Sequence, residues 1–368
     1  MFPARVLLPV VQSAAGSAKA EDRRRLPGAT VAWEIAERPR AASPISFHDR
    51  EPLDPALRDE ILEQILEFKP HRLALLGDHP EETAGLLPLV CRASQSGVRV
   101  DLVLAAGSAT EPGWLAALAS AGASTVGVRL DSADAAIHEV MPDVTASYAA
   151  TLVAARSIGA SALGLHIATR LRPGGEQDFD LLAALVAEID PVLWTIYPEV
   201  GVRGGDEFTP DEMEALLLSV ARWAENHCTV VDMIAAPAFR RVMLQSDTCP
   251  RYYRPGRQHV LGDGRGYLFV DLRGDVWPST LLPLHVGNVQ KNRLASLYRS
   301  SEVLRWLRDP IRLEGKCAVC PYRILCGGSR ARAFASTGNP FAEDPACAYT
   351  PPAAARDEGS GVAQERPS

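Results

Sequence analysis

The chain has 368 residues, of which 47% are hydrophobic and 23% charged, and its formal net charge is -7. This length allows two domains, or one large domain with an appendage. The acidic balance argues against broad binding of nucleic acids, which usually requires a basic face, and no run approaches the roughly 18 apolar residues of a membrane span. Seven cysteines, an odd number, fit a reducing compartment better than a disulfide framework. We therefore expect a cytoplasmic protein with neither nucleic-acid nor membrane partners.

Between residues 30 and 235, short β-rich runs alternate with amphipathic helical patterns. The predicted strands are Thr30–Ile35, Leu73–Leu76, Arg99–Leu104, Thr125–Leu130, Ala162–Ala168, Val192–Tyr197 and Thr229–Ile234. A first helix is predicted after the Asp54-Pro55 start signal, where apolar residues recur at helical spacing. The other predicted helices are Glu81–Ser96, Glu111–Ala121, Ser147–Ile158, Phe179–Ile189 and Pro210–Asn226. Such alternation requires parallel strands with crossover helices, in a doubly wound sheet or in a barrel.

The character of the chain changes after residue 245. Glycines punctuate a predicted β-hairpin, in which Gly266–Leu272 pairs with Asp275–Trp277 around an Arg273-Gly274 turn. A helix is predicted over Leu294–Leu307. No G-x-G-x-x-G turn or P-loop follows any predicted strand, and this disfavours the nucleotide-binding folds that use those two motifs.

Four of the seven cysteines cluster near the C-terminus with the spacing Cys-x2-Cys-x5-Cys-x20-Cys. They are Cys317, Cys320, Cys326 and Cys347. Four thiolates can complete the tetrahedral shell of a zinc ion, or they can cap the four irons of a cubane. The Gly327-Gly328 step would let the backbone approach a metal, and Arg330 and Arg332 could offset the negative charge of a thiolate-ligated centre. Spacing alone leaves zinc and an iron–sulfur cluster open, because both accept four cysteines.

The region from Gly264 to Pro351 resembles the SPASM domain of radical S-adenosylmethionine (SAM) enzymes. The similarity lies in "GRGYLFVDLRGDVWPSTLLPLHVGNV", "LRDPIRLEGKCAVCPYRILCGGSRARA" and "GNPFAEDPACAY". It implies that the four cysteines ligate an auxiliary [4Fe–4S] cluster, with zinc as the rival metal. Many SPASM proteins hold a second auxiliary cluster through a cysteine at the position of Ser279 in this chain. Cys249 alone could not build that second site, so we expect one cluster.

The resemblance extends to the barrel, where family members follow a strand ending in "WE" with three cysteines that bind the SAM-cleaving cluster. In "VAWEIAERPRAASPISF" the three ligand positions are Pro39, Ser43 and Ser46, with Ile45 at the hydrophobic position of the motif. Proline has no side-chain ligand, and a serine hydroxyl is a poor substitute for a soft thiolate. The resemblance therefore predicts a degenerate active site without the catalytic cluster.

Two further family positions bear on SAM. The glycine-rich turn that contacts the SAM amino group reads Leu76-Gly77-Asp78-His79-Pro80 here, with one glycine lost and His79 inserted, so SAM binding is in doubt. Asp131, in "RLDSADAAIHEV", matches a family strand end. A helix cap or a turn residue is an equally good interpretation of Asp131.

We therefore predict an α/β protein, a partial (β/α)6 TIM-like barrel of radical SAM type followed by a small SPASM iron–sulfur domain. The expected divisions are an N-terminal extension (1–27), the degenerate barrel (28–245), the SPASM domain (246–352) and a disordered tail (353–368). In one functional hypothesis the chain is a binding or accessory protein for a peptide or small-molecule precursor, or for an active partner enzyme. In the other it uses the auxiliary cluster alone as an oxidoreductase or sulfurtransferase. The sequence fixes neither the catalytic residues nor the oligomeric state.

Overall fold

The computed structural model describes residues 29–36, 54–77, 83, 85–104, 112–141, 146–174, 178–201, 207–245 and 262–352. The strands are β1 (Thr30–Glu34), β2 (Arg72–Leu76), β3 (Arg99–Leu104), β4 (Thr125–Arg129), β5 (Gly164–Leu171), β6 (Leu193–Pro198), β7 (Val230–Met233), β8 (Gly262–Asp263), β9 (Gly266–Val270), β10 (Asp275–Trp277) and β11 (Gly287–Asn288). The helices are α1 (Pro55–Phe68), α2 (Leu86–Gln95), α3 (Pro112–Ala121), α4 (Ala135–Glu139), α5 (Tyr148–Gly159), α6 (Phe179–Ile189), α7 (Pro210–Asn226), α8 (Phe239–Gln245), α9 (Leu294–Ser300), α10 (Glu302–Arg308), α11 (Gly315–Val319) and α12 (Arg330–Thr337).

The order of strands in the sheet decides between the two predicted architectures. Strands β1 to β7 are parallel and adjacent in chain order, so each helical crossover returns the chain to the next position. A doubly wound sheet would instead reverse direction at a switch point. Because crossovers share one hand, a consecutive order puts the helices on one side of the sheet, and the sheet curls as in a barrel. The predicted α/β fold with a partial barrel is confirmed.

The two faces of the barrel strands differ in polarity. The side chains facing the helices are apolar and form the main core, which includes the fully buried Trp33 and Trp194. Successive side chains along each strand point alternately to the helix-facing side and to the opposite face, with the period of two expected of strands. The face opposite the helices carries a small separate apolar cluster around Ala32 and Phe269. A row of polar side chains lies beside that cluster.

Arg72 links strands that lie far apart in the sheet. It forms an ion pair with Asp101 on β3, and its Nη1 lies 3.3 Å from Oδ2 of Asp232 on β7. The Thr125 hydroxyl donates a 2.6 Å hydrogen bond to the other oxygen of Asp101. Since β2 and β7 are five positions apart in the sheet, Arg72 can reach Asp232 only because the sheet is strongly curved.

The C-terminal part of the chain continues the same sheet. Strand β9 pairs in parallel with β1, with Val31 opposite Leu268 and Trp33 opposite Val270. Strand β10 pairs with β9 in antiparallel fashion, and β11 follows β10. The predicted hairpin is confirmed, and its turn is closed by a 3.0 Å hydrogen bond from the Gly274 N–H to the Asp271 carbonyl.

Some sequence-based predictions were wrong in detail. The helix predicted over Leu294–Leu307 is two helices, because Ser301 has an extended backbone with ψ 130°. The preceding Ser300 hydroxyl donates to the Ser296 carbonyl at 2.7 Å, the local competition that makes serine common at helix ends. Helices α4 and α8 were not predicted, since five and seven residues are too short to show a helical period.

The predicted N-terminal extension and C-terminal tail lie outside the described residues. Among the helices that the structure describes, none is both long enough and apolar enough to cross a membrane.

Gly127 on β4 lies under the ring of His166, its register partner on β5. A Cβ at position 127 would come within 2.8 Å of His166 Nδ1 and 3.0 Å of the His166 carbonyl oxygen. We expect Gly127→Ala to lower the free energy of unfolding by about 1–3 kcal/mol, the usual cost of overpacking. The matched control is Gly159→Ala at the end of α5, where the nearest atom would be 3.9 Å away. Equal unfolding midpoints for the two variants in urea would contradict this account.

His166 should make folding sensitive to acid. Its ring is 2% exposed, its Nε2 lies 2.9 Å from the Thr195 hydroxyl, and burial, helped by the charge of Arg72, lowers its pKa to about 3. Between this pKa and the usual value of about 6.5, only the unfolded chain binds the proton, so the His166 contribution to stability falls as the pH falls, by up to about 1.4 kcal/mol per pH unit.

The test is the pH dependence of the unfolding free energy of the wild type and of His166→Asn. The wild-type value minus the variant value should be constant above pH 7.5 and should decrease from pH 6.5 to pH 5. A constant difference over the whole range would mean that His166 titrates alike in both states.

Candidate metal centre

The four clustered cysteines come from three short segments of the C-terminal unit. Cys317 lies in α11 and is buried, and Cys320 is the C-cap of this helix with an extended backbone. Cys326 precedes the double-glycine turn, and Cys347 follows a turn in which its N–H donates to the Asp344 carbonyl at 3.2 Å. The close spacing of the first pair thus places both residues at one helix end.

All four cysteines line one cavity of about 390 Å³. The remaining walls include charged and aromatic side chains, namely Arg241, Lys316, Tyr322, Arg323, Asp344 and Tyr349. Within the described part of the chain, no three histidine, cysteine, aspartate or glutamate side chains form a group that could hold a single metal ion. The thiols therefore surround a common space without converging on one point.

The double glycine lets the backbone enter this site. Gly327 and Gly328 both have left-handed backbones, with φ 74° and 68°, a conformation that costs glycine little. A Cβ on Gly328 would lie 3.2 Å from the sulfur of Cys317 and would collide with Arg330. The Gly328 N–H donates to the Cys326 sulfur at 3.3 Å. The turn thus supplies both the close approach and a backbone donor to sulfur.

Arg330 is held rigidly beside the site. It donates to the carbonyl oxygens of Gly328, Pro340 and Ala342 at 3.2, 2.7 and 2.8 Å. These carbonyls fix the guanidinium without cancelling its charge, and its Nη2 lies 3.9 Å from the Cys317 sulfur. Its position agrees with the predicted role of offsetting negative charge at the thiolates.

Arg332 has a different environment from the one predicted. It lies 3.4 Å from Asp344, with both side chains buried. Asp344 also accepts the Ser329 N–H at 2.7 Å and the Ala346 N–H at 3.2 Å. This buried pair ties together the two ends of the segment between Cys326 and Cys347, so Arg332 positions the backbone and does not approach a sulfur.

Burial disfavours the ionised thiols when no metal is bound. It raises the pKa of Cys326 to about 12, with the nearby Asp344 carboxylate acting in the same direction. Burial also raises the pKa of Cys320 and of Cys347. A metal that binds here must therefore displace protons, and the released protons make its affinity depend on pH.

Sequence reasoning missed Arg241, which reaches the cavity from α8. It donates to both carboxylate oxygens of Glu214 on α7, at 2.8 Å for one of them, and to Gln245 at 2.7 Å. Its guanidinium lies 5.3 Å from the centre of the Tyr349 ring. No sequence signal connects Arg241 with cysteines about 80 residues away, because its position depends on how α8 packs. Lys316, beside Cys317, donates to the Cys347 carbonyl at 2.7 Å.

Ser279 stands where the sequence resemblance predicts a cysteine in proteins with a second auxiliary cluster. Its hydroxyl donates to Asp263 and accepts the N–H groups of Leu281 and Leu282, each at 3.2 Å. These bonds give Ser279 the role of a turn residue. Cys249 lies outside the described residues.

The predicted degenerate motif, Pro39, Ser43, Ile45 and Ser46, lies outside the described residues, as do Asp78, His79 and Pro80.

Asp131 is described and is the strand-end residue that the barrel alignment predicts. It accepts the Arg170 N–H at 2.6 Å and pairs with Arg129 at 2.6 Å, so it joins the ends of β4 and β5. The alternative prediction of a helix cap is wrong, because Asp134 caps α4. Burial raises the pKa of Asp131 to about 6, against the opposing charge of Arg129.

No family model matches the chain. Several known proteins are nevertheless similar to it in sequence or in fold. An AdoMet-dependent heme synthase of Methanosarcina barkeri is 28% identical over 290 residues, covering 76% of this chain and 82% of the relative. A PqqA peptide cyclase of Rhodopseudomonas palustris is 26% identical over 282 residues, covering 75% and 73%. The crystal structure of Streptococcus suis SuiB bound to the precursor peptide SuiA superposes with a TM-score of 0.68 at 12% identity, covering 88% and 76%.

The consecutive parallel sheet and the cysteine-bearing unit appended to it define a radical SAM-type barrel followed by a SPASM-like unit. Together with the sequence relatives above, these features support a member of the radical SAM/SPASM family.

The buried ion pair between Arg332 and Asp344 predicts that the stability of the fold depends on Asp344. Asp344→Asn keeps the size of the side chain but leaves Arg332 buried without its anionic partner, which typically costs about 3–5 kcal/mol. We expect a lower urea midpoint of unfolding. The matched control is Glu343→Gln. Glu343 is exposed and accepts the Lys316 N–H at 2.8 Å, so its substitution should change stability by less than about 1 kcal/mol. Similar losses in both variants would contradict a special role for Asp344.

Proposed function

We propose that Cys317, Cys320, Cys326 and Cys347 bind one auxiliary [4Fe–4S] cluster, and that the chain lacks the cluster that cleaves SAM. The observation that carries the first part is the single cavity that all four thiols line. Four zinc ligands must lie about 2.3 Å from one ion, whereas a cubane spreads its thiolates over four irons. Among the described residues, thiols that surround a common space without converging on one point support the cluster over zinc. When bound, a cluster can exchange electrons or act as a Lewis acid.

The second part of the proposal comes from the sequence. Proline and two serines stand at the three positions where relatives of this type place cysteines. A [4Fe–4S] cluster with no protein thiolate is not a stable site. We assign residues 28–245 to a barrel that no longer cleaves SAM and residues 246–352 to a SPASM domain that still binds iron.

We further propose that the chain acts as a binding or accessory protein in the maturation of a peptide, cofactor or natural product. The similar proteins named above are a heme synthase, a peptide cyclase and a protein bound to its precursor peptide. Loss of SAM cleavage with retention of the barrel favours recognition of such a precursor, or of an active partner enzyme, over radical chemistry.

The second candidate is an enzyme that uses only the auxiliary cluster, for electron transfer, substrate activation or sulfur donation. The presence of four thiols in one cavity favours this enzyme candidate, because recognition alone needs no iron.

Anaerobic purification tests the cluster. The wild type should be brown and contain about four irons and four sulfides per chain. Cys317→Ala/Cys320→Ala should lose the colour and most of the iron, whereas the control Cys228→Ala, at an exposed cysteine, should retain both. Zinc in place of iron, or iron unaffected by the double variant, would refute the assignment.

SAM cleavage tests the degenerate barrel. After reduction with dithionite, the wild type should form no 5′-deoxyadenosine above a control without protein. Restoring the family motif with Pro39→Cys/Ser43→Cys/Ser46→Cys should raise the iron content towards about eight per chain, because it supplies three thiolates for a second cubane. Cleavage of SAM by the unmodified chain would overturn this part of the proposal.

A further inference from the structure

A second and larger cavity, of about 790 Å³, lies where the end of the barrel meets the C-terminal unit. One side is formed by the segment after β7 and by Arg240 of α8. The other is formed by the β8–β9 turn, the end of α10 and the Cys326–Arg330 turn.

The walls of this cavity combine apolar surface with positive charge. Apolar contact area comes from both sides, including Ile234, Pro237, Leu307 and Leu313. Four arginines and two aspartates also line it, namely Arg240, Arg265, Arg308, Arg330, Asp263 and Asp309. The formal sum is +2, in a chain whose net charge is -7. A concave basic site in an acidic protein concentrates anions from solution.

Two of the four arginines, Arg265 and Arg308, are held in place by groups that leave their charge intact. Arg265 donates to the Ile324 carbonyl at 2.7 Å. Arg308 donates to the carbonyls of Leu304 and Tyr298 at 2.8 and 2.5 Å, and it stacks on the Tyr298 ring at 4.6 Å. Neutral carbonyls orient a guanidinium but do not neutralise it. This pre-organisation reduces the entropy that a ligand must overcome on binding.

The aspartates in the walls are already engaged. Asp263 accepts the Ser279 hydroxyl and the Ala331 N–H, the latter at 3.0 Å. Asp309 accepts the Ile311 N–H at 3.0 Å and faces Arg312 at 3.7 Å. Neither forms an ion pair with Arg265 or Arg308 that offsets the basic wall. Burial lowers the pKa of Arg265, and the positive charges of Arg240 and Arg330 act in the same direction, so these cations lie close enough to repel one another.

We propose that this cavity binds the anionic group of an amphipathic small molecule or side chain, a carboxylate or a phosphate, through Arg265 and Arg308. The planar guanidinium fork matches both anions, and the apolar walls hold the body of the ligand. Cys326, Gly327 and Gly328 line this cavity and the cysteine cavity alike. The inference therefore deepens the proposed function and rests on it in one respect, because a bound anion would lie directly beside the cluster.

Calorimetric titration of the anaerobically purified full chain tests the proposal. The probes are 1-naphthylacetate, 1-naphthyl phosphate and the neutral 1-naphthylacetamide. At least one anion should bind at least tenfold more tightly than the amide, and the tighter of the two identifies the anionic group. Equal binding of anion and amide, or no measurable binding of either anion, would overturn the proposal.

Charge-neutralising variants locate the site. Arg265→Gln and Arg308→Gln should each weaken binding of the preferred anion about tenfold or more, the loss expected for a hydrogen bond to a charged group. The matched control is Arg305→Gln, on α10 near Arg308 but exposed and outside the cavity, and it should bind as the wild type does. Equal weakening by Arg305→Gln, or no effect of the other two, would refute the site.

Iron and sulfide are measured in the same samples. A chain that binds the anion but holds no iron would refute the proposed cluster and leave the anion site intact. A brown, four-iron chain with no preference for the anions would refute the anion site and leave the proposed cluster intact. The two proposals thus fail separately.

Discussion

The parallel pairing of β1 with β9 is the constraint on which the rest of the molecule depends. It makes the hairpin of the C-terminal unit an extension of the barrel sheet, with Trp33 opposite Val270 at a fully buried position. Hydrogen bonds along a parallel ladder fix the register, and a slip by one residue would turn each side chain to the other face. The end of the barrel and the cysteine-bearing segments are thereby held at a fixed distance, and both cavities depend on that distance.

The charges around the cysteines follow from this arrangement. Arg241 comes from the barrel part of the chain, while Lys316 and Arg330 come from the C-terminal unit. Thiolate ligation accumulates negative charge, and buried charge is stabilised only where opposite charge and hydrogen bonds are already in position. Through Arg241, the barrel would thus support the proposed cluster electrostatically.

The polar inner face of the sheet shows where pattern-based prediction has less power. Parallel strands that are covered on both faces usually read as apolar runs, and here alternate residues such as Arg72, Asp101 and His166 face inward. The sequence shows these residues as interruptions within strands. Only the curvature of the sheet explains them, because it brings Arg72 on β2 to within 3.3 Å of Asp232 on β7. The same limit applies to Ser301, where a local backbone choice divides a helix that periodicity had predicted as continuous.

The sequence by itself determined the β-α alternation, the hairpin and the grouping of the four cysteines, because each depends on short-range periodicity, turn chemistry or spacing. The predicted barrel and SPASM-like unit also followed from residues that can be read in order along the chain. Only the tertiary structure decided that the strands are arranged consecutively, that Arg241 faces the thiols and that a basic cavity adjoins them. These features depend on contacts between residues far apart in sequence, and such contacts exist only once the sheet has curled and β9 has paired with β1.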